Sequence, residues 1–476
     1  MEFVTTALFW ALAIYALLRG GPLLIYLFFF WSAFGSFAVV PTAASGGVSL
    51  TALPMMSLLV IVRMLGGWSG IAYTFSAGTR LNHLGLLMLF WLAATVTTMF
   101  MPRFFAGQVY VVPMTYDFEP RQPLAPSMQN FTQITYLTIS VLCVFAFARL
   151  LEQPGGRKVV MRGLFIGAFA LIGTGILDIM SIALPIDPLL EGFRTAAYTL
   201  RVDDEVMGAK RIVGLMPEAS AFGDACLSTM ALLYFLRHAI ASDRSLERYL
   251  WPVIGALFLL SCLSTSSAAY AGIAIFSALA AAEWTWRALA HWRQMRIRRH
   301  LARQLLAATG IAALVICLLL FVPSVFTPAL NMVDELLFNK TASQSFEERS
   351  MWTAISLQSV FDTYGFGVGV GSTRASSSFV AGLSNLGLIG ASLYCLFLVY
   401  CYFQRAASND FQGAWILSGL RWAIVPGTIV GWMIGTTPDF GSGRSVVYAL
   451  MIAIGQGAVR ASRPVASKFG AARATA

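Results

Sequence analysis

Apolar runs long enough to cross a bilayer recur along the whole length of this chain, and they leave few other folds open to it. A helix that spans the hydrocarbon core needs about 20 apolar residues. Runs of that kind lie near 3–18, 22–40, 51–66, 84–100, 132–150, 159–184, 217–236, 250–264, 268–286, 304–323, 377–403, 414–435 and 444–459. They predict an all-α polytopic integral membrane protein with about 12–13 transmembrane helices. The first run is short and also suits an interfacial position. The runs at 250–264 and 268–286 are separated only by Ser264-Thr265-Ser266-Ser267. They read as a tight helical hairpin or as one long buried helix.

Composition agrees. The chain has 476 residues, 58% hydrophobic and only 11% charged, where a soluble domain carries about a quarter charged residues. The whole chain therefore reads as a single membrane domain. Its loops, of roughly 30 to 55 residues, can hold short helices but no independent core. The first run lacks a basic leader and a small-residue cleavage site, so no cleavable signal is expected. No repeat or low-complexity segment stands out. The six cysteines fall in apolar segments and form no CxxC pair, which fits packing and implies neither disulfides nor metal.

A net charge of +10 would suggest nucleic acid in a soluble protein. Here the basic residues sit in short loops between apolar runs and at the C-terminus, the positive-inside pattern, and no nucleic-acid partner is expected. The segment 287–303 is strongly basic; 237–249 carries Arg237, Arg244 and Arg248; 151–158 carries Arg157 and Lys158; the tail 460–476 carries Arg460, Arg463, Lys468 and Arg473. All are expected to face the cytoplasm, with the C-terminus inside and, counting back, the N-terminus outside. The run 287–303 is a solvated stop-transfer face or, with Trp284, Trp286 and Trp292, an anionic-lipid contact. The extracytoplasmic side then holds loops near 101–131, 185–216, 324–376 and 436–443.

Two charged islands fall on that outer side. In the first, Arg211 precedes a helix expected to begin at Pro217, with Glu218 in its first turn. Arg211 is either a bidentate phosphate ligand or half of a salt bridge. Glu218 is either a general base or a helix-start carboxylate. In the second, Ser345-Phe346-Glu347-Glu348 matches a capping box and predicts a helix start at Ser345. Arg349 then sits in the first turn, where a cation opposes the dipole by about 0.3–1 kcal/mol. It is either functional or paired with Glu347 or another loop carboxylate.

Gly365, Gly367, Gly369 and Gly371 alternate in the stretch that follows. Period two puts the bare positions on one face. That face either offers N–H groups to an anion or packs closely on the way into helix 377–403. Arg374 follows as a third cation. Asp178, in an apolar helix near its outer end, is functional or paired. Asp439 and Arg444 read as a structural ion pair. Arg194 and Arg201 bind substrate or offset Asp203, Asp204 and Glu205. The four histidines, His83, His238, His291 and His300, all fall inside or at the inner edge. The outer carboxylates lack an Asp-x-Asp signature and there is no Walker loop, so metal-independent chemistry without a cofactor is expected.

At these residues the chain resembles the bacterial O-antigen ligase/polymerase superfamily, particularly Wzy-type exopolysaccharide polymerases. The matching pieces are Arg211-x-x-Gly214 with Pro217-Glu218-Ala219-Ser220, then Leu263-Ser264-Thr265-Ser266-Ser267, then Arg349-x-x-Trp352. Gly365-Phe366-Gly367-Val368-Gly369 then leads through Arg374-Ala375-Ser376-Ser377-Ser378 to Asn385-Leu386-Gly387-Leu388-Ile389-Gly390. The order covers most of the chain.

Two features depart from the family. Eleven residues separate Arg211 from Gly223, where some polymerases have ten. The histidine that ligases carry around the 374–378 stretch is replaced by Arg-Ala-Ser-Ser-Ser, which favours a polymerase over a ligase.

The resemblance implies inverting glycosyl transfer from a polyprenyl diphosphate, on the outer face of a bacterial inner membrane. Arg211, Arg349 and Arg374 would neutralise the departing diphosphate, with Arg194, Arg201, Gly367, Gly369 and Gly371 as further substrate contacts. Glu218, Glu347 or Glu348 would take the proton. The implied partners are lipid-linked oligosaccharide, membrane lipids, a chain-length co-polymerase and a flippase. The competing readings are a ligase that passes glycan to lipid A and a flippase.

Overall fold

The computed structural model describes residues 2–40, 50–114, 119–197, 200–202, 205–206, 209–292 and 344–462. The expected span at 304–323, Asp203, Asp204, most of the basic run 287–303 and the tail residues Arg463, Lys468 and Arg473 lie outside them.

Helices run from α1 (Glu2–Arg19) and α2 (Leu23–Trp31) through α3 (Ala52–Leu65), α4 (Gly67–Gly78) and α5 (Gly85–Phe104) to α6 (Met128–Leu151) and α7 (Gly156–Met180). After a short α8 (Asp187–Glu191) come α9 (Ala219–Phe235), α10 (Arg237–Ile240), α11 (Arg244–Leu263) and α12 (Ser267–Trp292). The last four are α13 (Gln344–Asp362), α14 (Ser378–Tyr402), α15 (Phe411–Ile434) and α16 (Gly441–Ser462). The only strands among the described residues form two ribbons, β1 (Tyr110–Val111) with β2 (Gln122–Pro123) and β3 (Glu205–Val206) with β4 (Ala209–Lys210).

Among the described residues, eight helices are long and apolar enough to cross a membrane, or up to nine if a bent pair counts as one span. The protein is therefore an all-α, multi-pass membrane protein; among the described residues fewer helices meet that test than there are apolar runs, and the run at 304–323 lies outside them. Their backbones satisfy themselves internally, as hydrocarbon requires. The most enclosed of these eight is α6. It starts at a capping box in which Asn130 Oδ1 accepts from the Ser127 N–H at 2.9 Å. Around it pack α16, α3 and α5, while α9 packs on α11, α15 and α12.

Three expected spans change shape. The run 22–40 leaves the helix after Trp31, because the chain must carry Ser36 to the Leu215 carbonyl, 2.9 Å away. The run 51–66 ends at Leu65, and Gly67 at φ +75° turns the chain through 98° into α4, which the periodicity did not show. The helix expected from Pro217 begins at Ala219, with Glu218 as its N-cap. The runs at 250–264 and 268–286 are separate helices, broken where Thr265 takes φ +45°. Ser345, where a helix was expected to start, lies within α13, whose described residues open at Gln344.

Contacts between the connecting segments gather them at two ends. The lower end collects the α6–α7, α9–α11 and α14–α15 turns. There Arg157 forms a bidentate pair with Asp410, at 2.8 and 2.6 Å, and Asp410 also caps α15 by accepting from the Gly413 N–H. The Arg157 hydrogen bonds, with help from Gly413, hold the Asp410 carboxyl below its ordinary 3.8.

A carboxyl shifted downward stabilises the fold above its unfolded value and loses that contribution as pH falls through its folded value. Arg157→Gln is therefore expected to cost about 1.5–3 kcal/mol at pH 7. That gap should close as the pH drops below the ordinary carboxylate range. Thermal unfolding in detergent at pH 7, 5 and 3 reads it, and an equal gap at pH 3 would exclude this pair as its source.

Candidate functional site

The upper end gathers the α5–α6 turn, the segment between α7 and α9, the α11–α12 turn, α13 and the starts of α14 and α16. Both charged islands lie there.

The first island is built on Asp178, in the last turn of α7 and fully buried. Its Oδ2 accepts from the Val213 N–H at 2.7 Å and the Gly214 N–H at 2.9 Å. Its Oδ1 accepts from Arg194 Nη2 at 3.0 Å and lies 3.4 Å from Lys210 Nζ. Arg194 also donates to the Gly214 carbonyl at 3.0 Å. Gly214 has φ +60°, a conformation that favours glycine, and an added Cβ would press on the Phe222 ring at 2.8 Å. The loop is thus held from several sides, and Arg211 projects from it with Nε 3.4 Å from the Ser264 carbonyl.

Asp178 is therefore a structural anchor that sets where Arg211 sits. Arg194, expected to bind substrate or to offset Asp203, Asp204 and Glu205, is committed to Asp178 and Gly214 instead. Arg201 pairs through its backbone, donating to the Pro217 carbonyl at 2.9 Å, and leaves its side chain exposed. Glu218 is half-buried and accepts a short hydrogen bond from Ser220 Oγ.

The second island is organised by α13. Arg349 and Trp352, three residues apart, share a helix face. The Arg374 guanidinium lies 3.7 Å from the centroid of the Trp352 ring, close enough for cation–π attraction. The backbone on either side of Arg374 is pinned. Its N–H donates to the Val112 carbonyl at 2.9 Å, and its carbonyl accepts from Ser356 Oγ at 2.8 Å. The Ser376 N–H donates to Thr353 Oγ1 at 3.1 Å. Arg374 thus sits on Trp352, and Arg349 lies one turn before Trp352 on the same face of α13. The exposed Glu347 and half-buried Glu348 lie one turn away on the same helix.

The glycine strap corrects an expectation. Gly365, Gly367, Gly369 and Gly371 all have φ between +81° and +90°, and they do not share one ligand-facing side. A Cβ on Gly369 would sit 2.8 Å from Pro102 of α5, and one on Gly371 would sit 2.5 Å from the Gln129 carbonyl of α6. A Cβ on Gly367 would fall on the Gly387 backbone of α14. The strap N–H groups are also occupied: Gly367 by Thr363 Oγ1, Val368 by the Ser384 carbonyl, Gly369 by the Asn385 carbonyl, Val370 by Thr98 Oγ1, and Gly371 by Asn385 Oδ1. Gly367, Gly369 and Gly371 are packing positions that seat Arg374, with no N–H left to offer an anion.

Below the strap, α5 and α14 border an apolar groove of about 450 Å³, lined by Leu89, Leu92, Val96, Phe366 and Ile389 among others.

A third polar group was not foreseen. Asp224 and Ser228 of α9 approach Gly427 and Gly431 of α15, and Arg444 of α16 donates to the Gly427 carbonyl at 2.7 Å. Asp439 interacts with Arg444 electrostatically but without a direct salt bridge, and it caps the start of α16 by accepting from the Gly441 N–H at 3.0 Å. The signal for Asp224 was present in the sequence, since an ionisable group inside an apolar helix is notable wherever it occurs. Its small neighbours Ala221, Gly223 and Ala225 made it look like part of a packing face.

No family model matches this chain, and no curated protein matches it.

Proposed function

We propose that the chain polymerises polyprenyl-diphosphate-linked oligosaccharide units on the outer face of a bacterial inner membrane, by inverting glycosyl transfer. The observation that carries this reading is the clustering at the upper end. Arg211 on its anchored loop, and Arg349 with Arg374 around Trp352, lie at the end opposite the Arg157, Arg237 and Arg287 turns. By the positive-inside bias those basic turns face the cytoplasm. Cations on the opposite side have no nucleotide to bind, and a lipid-borne diphosphate matches them. The apolar groove between α5 and α14 suits the polyprenyl chain of such a substrate.

In this reading the non-reducing hydroxyl of one lipid-linked unit attacks the anomeric carbon of the growing chain. The new C–O bond forms as the bond to the diphosphate breaks, and the lipid diphosphate leaves with the electron pair. Guanidinium groups placed where that charge develops lower the barrier more than any other group at the site. A diphosphate donor already carries the energy for transfer.

The test is mass spectrometry of lipid-linked glycans in cells lacking the protein, rescued with wild type, Arg211→Ala or Arg349→Ala. Single units on the outer leaflet, cleared by wild type and by neither variant, are expected. Long lipid-linked chains would instead indicate a ligase. Units trapped on the inner leaflet would indicate a flippase. Full rescue by both variants would remove the arginines from the chemistry.

A further inference from the structure

The polar cluster of Asp224, Ser228, Ser378, Gly427, Gly431 and Arg444 joins the helices that follow the two charged islands. Asp224 lies five residues into α9, about 7.5 Å below its start at 1.5 Å per residue. Helix α15 and its C-cap present Gly-x-x-x-Gly-x-x-x-Gly at Gly427, Gly431 and Gly435. The bare backbone admits the Arg444 side chain: a Cβ at Gly431 would lie 3.1 Å from Arg444 Nη2 and 3.6 Å from Ser378 Oγ. A Cβ at Gly427 would lie 3.3 Å from Ser228 Oγ. Helices α9, α14, α15 and α16 therefore converge on one guanidinium, and the residues around it are half-buried rather than sealed.

Asp224 sets this cluster apart from an ordinary structural pair. Arg444 and Ser228 lie near its carboxylate, yet Oδ1 is buried without a hydrogen-bond partner among the described residues. An unfilled acceptor inside a membrane protein costs stability that a merely structural residue would not be kept to lose. Glu218, the N-cap carboxylate just before α9, already accepts from Ser220 and sits at the helix entrance.

We infer that Asp224 receives the attacking sugar hydroxyl and acts as its general base, with Arg444 holding the carboxylate in place. This deepens the polymerase reading and rests on it. The hydroxyl hydrogen fills the open position on Oδ1. As the oxygen bonds to the anomeric carbon, its proton passes to the Asp224 carboxylate, while the diphosphate departs with the electron pair toward the arginines. The proton then leaves Asp224 for water. Asp224 is the catalytic residue here, and Arg444 is a positioning residue.

The test uses the full chain in detergent or nanodiscs with lipid-linked repeat units. Asp224→Asn is expected to lower kcat by about 100-fold or more while KM stays within about threefold, because shape and binding are kept and only proton acceptance is lost. Asp224→Glu is expected to recover part of kcat. Separately, dicyclohexylcarbodiimide, an apolar reagent for carboxyl groups, should modify Asp224 in wild type, and saturating lipid-linked units should protect it.

A kcat for Asp224→Asn within threefold of wild type would overturn the inference. If Asp224→Asn does not fold, the wild-type labelling decides: protection supports the inference, and labelling without protection or no labelling overturns it. A wild type that elongates no lipid-linked unit removes the polymerase reading and this inference together. A wild type that elongates while Asp224→Asn matches it removes this inference alone.

Discussion

Replacing Asp178 by alanine is expected to cost about 3–5 kcal/mol and to disable the upper end as fully as removing Arg211 itself. The carboxylate is fully buried, and one short side chain serves two backbone N–H groups and two cations. Alanine leaves Arg194, whose side chain is only 9% exposed, as an uncompensated charge. It also orphans the Val213 and Gly214 amides, and each buried unmade hydrogen bond costs about 1–3 kcal/mol. Asp178→Asn keeps the shape and one acceptor, so its loss should be smaller.

Thermal unfolding in detergent measures the stability, and the glycan analysis measures the function. Asp178→Ala within about 1 kcal/mol of wild type would show that the Arg211 loop is held by its apolar neighbours Ile212, Leu215 and Met216. The double variant Asp178→Ala with Arg194→Met separates the two costs. Removing the stranded charge should return part of the stability, while Arg211 stays misplaced and function stays lost.

The membrane class and most of the long helices were legible in the sequence because hydrocarbon leaves few choices. A run such as 132–150 or 159–184 has no polar alternative to a helix. The charged islands were legible for a related reason, since a cation in an oily chain stands out. What the sequence hid was direction and partnership. Arg194 and Asp178 are 16 positions apart, and nothing in either segment shows that one closes on the other. Four alternating glycines suggested a smooth face because period two holds in an extended strand. The strap instead takes positive φ at each glycine and turns the bare positions toward α5, α6 and α14 in turn. The bend after Leu65 was hidden for the same reason: Gly66-Gly67 permits a turn without demanding one. Arg444 looked like half of a local pair with Asp439, whereas it also reaches Asp224 of α9 and the Gly427 carbonyl of α15, far away in the sequence.

The strap's dependence on one position in α14 leads to the second large effect. Gly387 interrupts that helix with φ 68° and ψ 178°, a region essentially reserved for glycine, where another residue costs about 1–3 kcal/mol in strain alone. The interruption lets the strap in. The Leu388 N–H donates to the Gly365 carbonyl at 2.8 Å, and a Cβ on Gly387 would fall on the Phe366 carbonyl.

Gly387→Ala must therefore straighten the helix or expel the strap. Either movement breaks the contacts of Asn385, whose side chain accepts from the Gly371 N–H at 3.1 Å and donates to the Thr373 carbonyl at 2.9 Å. Thr373 and Arg374 follow directly, so the guanidinium should leave the Trp352 ring. The expected result is a loss of about 3 kcal/mol or more, adding the strain to the broken hydrogen bonds, together with loss of function.

Gly382 supplies the control within the same helix. Nothing lies within 4 Å of a Cβ added there, so Gly382→Ala should stabilise by about 0.4–1 kcal/mol. Thermal unfolding of the two variants side by side reads the contrast. Equal, small effects would mean that α14 tolerates a continuous helix through 387 and that the strap does not depend on the break. Opposite signs would place the seat of Arg374 at a single backbone conformation more than ten residues away.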